Sequence, residues 1–150
     1  MPDPEALIEL LRQSGRKITP QRRAIIELLA HDTTHPTAED IYQRAAAMMP
    51  DMSRATVYNT LHELVALGGL IETHEFSESG IRYDTNLGPH HHLICTHCHA
   101  LVDISHNFAE ITLSLREASG YQIMRHQITF YGLCPTCQER EKEQATPANT

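Results

Sequence analysis

Two cysteine pairs, CTHC at 95–98 and CPTC at 134–137, are separated by 35 residues. Each pair places two sulfurs on a tight turn, and four thiolates complete the tetrahedral shell of a zinc ion. A closed site of that kind is structural. It would tie the last strand of the C-terminal half to its first hairpin and add stability that a small core lacks. Redox dithiols or two disulfides are the competing readings. A zinc nucleobase-deaminase centre is excluded, because proline follows Cys134 rather than preceding it and no H-x-E occurs.

The stretch GPHHHLICTHCHALVD, residues 88–103, holds five histidines, two cysteines and one aspartate. In an extended chain His90 and His92 share one face, while His91 lies on the other with Cys95. The knuckle reverses the chain, so antiparallel pairing about it sets Asp103 opposite His90, or opposite His92 after a small shift in register. Two imidazoles and a carboxylate without thiolate suit Fe(II), Mn(II) or Zn(II). Alternatively, these histidines only hydrogen-bond around the zinc knuckle or form a solvated strand end.

The elements that must position these groups begin with four helices. Residues 4–14 read as the first, with Leu7, Ile8, Leu10 and Leu11 apolar and Gly15 placed to end it. Thr19 caps a second that starts at Pro20 and runs to about Ala30. Thr37 with Asp40 opens a third, ending near Pro50, and Ser53 caps a fourth that stops at Gly68 and Gly69. LIETHEF and GIRYD are then two short strands around a loop at 77–80. This order predicts a winged helix-turn-helix, with Arg54, Thr56, Tyr58 and Asn59 of the fourth helix presented to the major groove. A plain α+β domain is the competing reading.

After residue 84, HLIC and ALVDI read as strands, and 106–119 as a helix with Phe108, Ile111, Leu115 and Ala118 inward. YQIMRHQITFYG reads as a further strand, and the polar run from Glu139 as a frayed helix end and then a disordered tail. The fold class is therefore α+β: an N-terminal winged helix-turn-helix domain, then a small α/β domain with a structural zinc site.

A net charge of −7 argues against DNA binding by bulk electrostatics, so distribution matters more. Arg12, Arg16, Lys17, Arg22 and Arg23 form a run with no acid between Glu9 and Glu27. That run is either a DNA-backbone contact or a solvated helix face. No apolar run approaches the length of a membrane span, and MPDPEALIEL is acidic and amphipathic rather than a secretory start. A cytoplasmic protein with reduced thiols is expected.

HPTAEDIY at 35–42, SRATVYNTL at 53–61, RYDTN at 82–86, HHHLICTHC at 90–98, LVD at 101–103 and YGLCPTC at 131–137 resemble, in order, the ferric uptake regulator (Fur) superfamily. The resemblance spans roughly residues 10–138. It implies a homodimeric repressor of a near-palindromic double-stranded DNA operator. The corresponding division is a DNA-binding domain at 1–83, a dimerisation and metal-binding domain at 84–138 and a flexible tail at 139–150.

Carried over by position, it makes Cys95, Cys98, Cys134 and Cys137 the structural zinc ligands, and His35, Asp84, His90, His92 and Asp103 the regulatory Fe(II) or Mn(II) ligands. His91, Glu110 and His126 match an additional metal site of some members, although His91 replaces an acid there, and the favoured reading is that they are polar side chains facing solvent. Arg16, Lys17 and Arg22 join the fourth-helix residues as expected DNA contacts.

Asp84, where iron-sensing members usually carry glutamate, resembles the peroxide-responsive branch. That branch implies iron-catalysed oxidation of His35 or His90, a stoichiometric event rather than enzyme turnover. An iron-responsive repressor is the alternative, followed by a zinc or manganese sensor. A metal-storing or redox enzyme on the same ligands would bind no operator.

Overall fold

Residues 3–74 and 80–145 are described by a computed structural model. In the N-terminal unit, local capping decides where each helix begins. Asp3 accepts the Glu5 N–H before α1 (Pro4–Gln13), and Thr19 accepts the Arg22 N–H before α2 (Pro20–Ala30). Thr37 and Asp40 form a reciprocal capping box at the start of α3 (Ala38–Met48), and Ser53 accepts the Thr56 N–H before α4 (Arg54–Ala66). Each cap satisfies amide hydrogens that a helix start otherwise leaves to water.

The four helices close on one core that includes Ile8, Leu11, Ile25, Ile26, Ile41, Val57, Leu61 and Leu64, all 0% exposed. Gly68, at φ +75°, lets the chain leave α4 in a left-handed turn, and the Gly69 N–H returns to Leu64 O. A Cβ on Gly69 would lie 2.8 Å from Leu10 Cδ2, so the absence of a side chain there lets α1 approach.

β1 (Ile71–Thr73) and β2 (Arg82–Asp84) pair antiparallel, Ile71 opposite Asp84. The expected strands were longer. Part of LIETHEF and most of the 77–80 loop lie outside the described residues. The chain ahead of α3 runs along the other edge of β2, where Thr37 bridges Arg82 and the Tyr83 N–H donates to Pro36 O at 3.0 Å. Helices followed by this hairpin make the expected winged-helix unit.

The division into units falls between Gly88 and Pro89. The Asn86 N–H donates to Asp84 Oδ1 and the Gly88 N–H to Asn86 Oδ1, which fastens the segment after β2 to the first unit beyond the 83/84 boundary expected from sequence.

The second unit is built on β3 (His91–Cys95), flanked antiparallel by β4 (Leu101–Ile104) and parallel by β5 (Thr129–Gly132). Three expectations are corrected there. The helix at 106–119 is only α5 (Leu115–Ala118), and Ile111 and Leu115 are exposed rather than inward. A Ser114–Glu117 capping box starts that helix afresh, a local signal that overrides the longer apolar period. The strand expected over 121–132 forms only at its end, where β3 offers hydrogen-bonding partners. The residues from Glu139, expected as a frayed end and tail, are helical to Ala145 in α6 (Pro135–Ala145). Their Glu, Lys, Gln and Arg are strong helix formers even though they cannot build a core, and Cys137 anchors the first turn by burial.

Leu61→Ala is expected to lower the unfolding free energy of the first unit by about 2–5 kcal/mol, since it empties a fully buried site. Urea denaturation followed by circular dichroism measures it. A loss below about 1 kcal/mol would contradict this account of the core.

Candidate metal centres and DNA-facing surface

The knuckle between β3 and β4 is closed by the Cys95 N–H on Ala100 O and the His99 N–H on Cys95 O. The Thr96 N–H reaches Gly132 O at 2.8 Å, which draws the end of β5, and so Cys134, to the same corner. Pro135 starts α6 there and places Cys137 in its first turn. The four sulfurs lie within 4.8 Å of one another, all as free cysteines, with Cys98 and Cys134 Sγ atoms 3.7 Å apart. Zinc–sulfur bonds of about 2.3 Å in a tetrahedron require sulfur–sulfur edges of about 3.8 Å, so this corner fits the ion.

Backbone N–H groups of Cys134 and Cys98 pull the Cys95 thiol down to about 5, while the hydrogen-bonded Cys134 and burial push Cys137 up to about 12. One sulfur is thus readily a thiolate and another keeps its proton until a cation displaces it.

A second donor set lies on the other face of β3. The register places His92 directly opposite Asp103, the second of the two pairings open from sequence. His92 Nε2 is 3.5 Å and His90 Nε2 3.7 Å from Asp103 Oδ1, and the two ring nitrogens are 3.0 Å apart. The Gln127 amide nitrogen stands 2.8 Å from His92 Nδ1. Were the amide flipped, its oxygen would accept the Nδ1 hydrogen and leave Nε2 a lone pair for a metal. Sequence reasoning missed Gln127, since an isolated amide carries no periodic or spacing signal.

In the first unit His35 and Asp84 are both buried, with Nε2 and Oδ2 3.3 Å apart. Extending the Thr37–Arg82 bridge by one antiparallel step at a time sets Pro36 against Tyr83 and His35 against Asp84. His35 sits at φ +55°, an uncommon conformation for a residue with a side chain.

The further trio separates. His91 takes the Ile128 N–H on Nδ1 and its ring stacks on His126 at 5.4 Å, but Glu110 lies 3.9 Å from His106 Nε2. Among the described residues, Glu110 does not join His91 and His126 in a metal-ligand cluster.

On the first unit, Tyr58 and Asn59 are exposed near the start of α4, as the DNA reading requires, whereas Thr56 Oγ1 is turned to Ser53 Oγ at 2.8 Å. The basic run is largely countered. Glu63 holds Arg22 at 2.9 Å and Arg16 at 3.5 Å, Glu5 holds Arg23, and Glu9 holds Arg12. Arg22, with its side chain 18% exposed, is thereby a packed ion pair more than a presented charge. Arg54 is tied to Glu39, which holds that carboxyl below its usual value. Lys17 is exposed.

A winged-helix unit joined to a small sheet unit, with a four-cysteine corner and separate histidine–carboxylate donors able to hold metals, defines a two-domain metal-binding regulator class. Residues 13–131 match the family described as the ferric uptake regulator family. The chain is 35% identical to the peroxide operon regulator of Bacillus subtilis, over 89% of this chain and 92% of that protein. It is 36% identical to the peroxide-responsive repressor PerR of Staphylococcus aureus, over 91% and 92% respectively. Its fold matches the structure of the Helicobacter pylori ferric uptake regulator Fur, reported with three functional metal-binding sites, at a TM-score of 0.73 and 25% identity over 91% of this chain and 95% of that one. The chain belongs to the ferric uptake regulator family.

Zinc affinity is expected to fall at least tenfold for each pH unit lost between 8 and 6. Binding must displace the raised Cys137 proton, and that group stays protonated throughout this range without metal. Competition with a chromophoric chelator at three pH values measures the slope. A pH-independent affinity would contradict a four-thiolate site.

Proposed function

We propose that this regulator is a homodimeric, metal-dependent repressor of a near-palindromic DNA operator that senses peroxide by oxidation of a ligand histidine. The observation that carries the reading is the donor set: His90, His92 and Asp103 gathered at the β3–β4 pair and the buried His35–Asp84 pair, all nitrogen and carboxylate oxygen, kept apart from the sulfurs. The names of the two peroxide-linked relatives point to the same stimulus. In this reading the four cysteines hold structural zinc, and His35, Asp84, His90, His92 and Asp103 together ligate one Fe(II) or Mn(II).

An ion whose ligands come from both units binds one arrangement of them better than the others and so favours it. The repressor form is that arrangement, and its α4 helices meet successive major grooves. Exposed Ile111, Leu113, Tyr121, Ile123 and Phe130 of the second unit supply apolar surface for a second copy to cover. Free thiols suit the reducing cytoplasm, where we place the protein.

Bound Fe(II) would activate peroxide by lending it an electron that the ring then restores, so that iron is unchanged overall; Mn(II) lends one reluctantly. The oxidised group is the His35 or the His90 ring. A ring carbon–hydrogen bond becomes a carbon–oxygen bond, the second peroxide oxygen leaves as water, and two electrons pass from the imidazole to peroxide. A modified ring no longer serves its metal, and repression ends. An iron-responsive repressor is the second reading, favoured by the match to the Helicobacter pylori regulator. A zinc or manganese sensor of the same family follows it.

The test is retardation of promoter DNA by Fe(II)-loaded and Mn(II)-loaded protein before and after dilute peroxide, with mass mapping of the His35 and His90 peptides. The proposal expects release of the iron form alone, with one oxygen added to either histidine. Retained binding with unmodified histidines would make the protein a metal-availability regulator. No retardation with either metal would favour a metal-storing or redox role.

A further inference from the structure

α3 and α4 meet near their N-terminal ends, and there one arginine is held on two sides. Arg54 donates through Nε to Glu39 Oε2 at 3.0 Å and through a terminal nitrogen to Oε1 at 2.9 Å, the two-point geometry by which guanidinium groups bind carboxylates and phosphates alike. Its guanidinium carbon also lies 4.1 Å from the centroid of the Tyr42 ring. Glu39 is further held by the Gln43 amide at 2.6 Å. Both partners of the pair remain about half exposed, at 56% for Arg54 and 48% for Glu39.

Pairs this exposed contribute little net stability, so the clamp is easily exchanged for another anion. Arg54 is the first residue of α4, the helix expected to enter the groove, and Tyr58 is exposed one turn along it. A cavity of about 220 Å³ beside them is lined by Thr37, Glu39, Tyr58, Gly80, Ile81 and Tyr83. This places Glu39 on the wall that joins α4 to the hairpin, where a nucleic-acid backbone would pass between helix and wing.

We propose that Glu39 is an affinity-setting residue of the DNA surface: its carboxylate occupies the two-point anion site of Arg54 in the free protein, and a DNA phosphate must displace it. The inference rests on the DNA-binding reading. Tyr42 keeps the guanidinium plane in place during the exchange, so the arginine is preset in orientation but already occupied. Breaking the Arg54–Glu39 pair costs free energy at every site, which lowers affinity for every sequence and weakens binding most where the phosphates lie poorly for Arg54. An acidic chain thus limits non-specific attachment at its own contact surface.

The test compares wild type, Glu39→Gln, Arg54→Ala and the double variant in their salt-dependent affinity for duplex promoter DNA and in the salt needed to elute them from heparin, a polyanion that needs no operator. Glu39→Gln is expected to bind DNA about three- to tenfold more tightly with nearly the same salt slope, because Arg54 neutralises the same phosphate in both complexes once Glu39 is displaced. It is expected to elute later from heparin. In the Arg54→Ala background most of that gain is expected to vanish, because the gain acts through the freed arginine rather than through one fewer negative charge. An equal gain in both backgrounds, or no gain or a loss in the single variant, would overturn the proposal. Failure of wild type to bind any DNA would overturn the functional reading. The heparin cycle then still decides whether Glu39 blocks Arg54 as an anion site.

Discussion

The alternation of side chains along β3 is the constraint on which the second unit depends. A strand turns successive residues to opposite faces, so His92 meets Asp103 across the sheet while Cys95 turns toward the knuckle. Hard and borderline donors are kept from the sulfurs by the pleat itself, and one five-residue strand carries donors suited to two metal chemistries. A one-residue slip in register would mix the donors and destroy both sites. An ion on the cysteine corner would guard against that slip, since Cys95 at the end of β3 and Cys98 in the turn before β4 would be held to one centre.

The first unit meets a similar need without a long strand. Its chain before α3 becomes an extra edge beside β2, and that register puts His35 against Asp84 although 48 residues separate them in sequence. The same edge ends in the Thr37–Asp40 capping box, so the residue that pairs with Asp84 is fastened to the start of a helix. Disturbance at His35 therefore reaches α3 through short, stiff connections, and α3 in turn carries Glu39, the partner of Arg54 on α4. This is a physical route from a proposed metal ligand to a proposed DNA contact within one unit.

Much of this was legible where the cause is local. Thr19-Pro20, Thr37 with Asp40, and Ser53 announce helix starts because a cap acts within three residues. The cysteine spacing foretold the sulfur cluster for the same reason. The His35–Asp84 pairing was not derivable from spacing and came only from family resemblance, because long-range register leaves no local trace. The stretch from 105 to 128 was misread as longer regular elements. Its apolar period is real, but Ile111, Leu115 and Ile123 stay exposed in the single chain, with nothing in their own unit to bury them. Arg22 and Arg54 looked like free charges because a sequence does not display tertiary ion pairs. The histidines at 91 and 126 did come together, as stacked rings, without the carboxylate of Glu110.

In the proposed repressor one regulatory ion takes ligands from both units. Calorimetric titration of zinc-replete protein with Mn(II), comparing wild type with His35→Ala and His92→Ala, tests it most directly. The account predicts a single binding event per chain that either substitution weakens by tenfold or more. Unchanged Mn(II) affinity in His35→Ala, with loss in His92→Ala, would confine the ion to the second unit and contradict the claim.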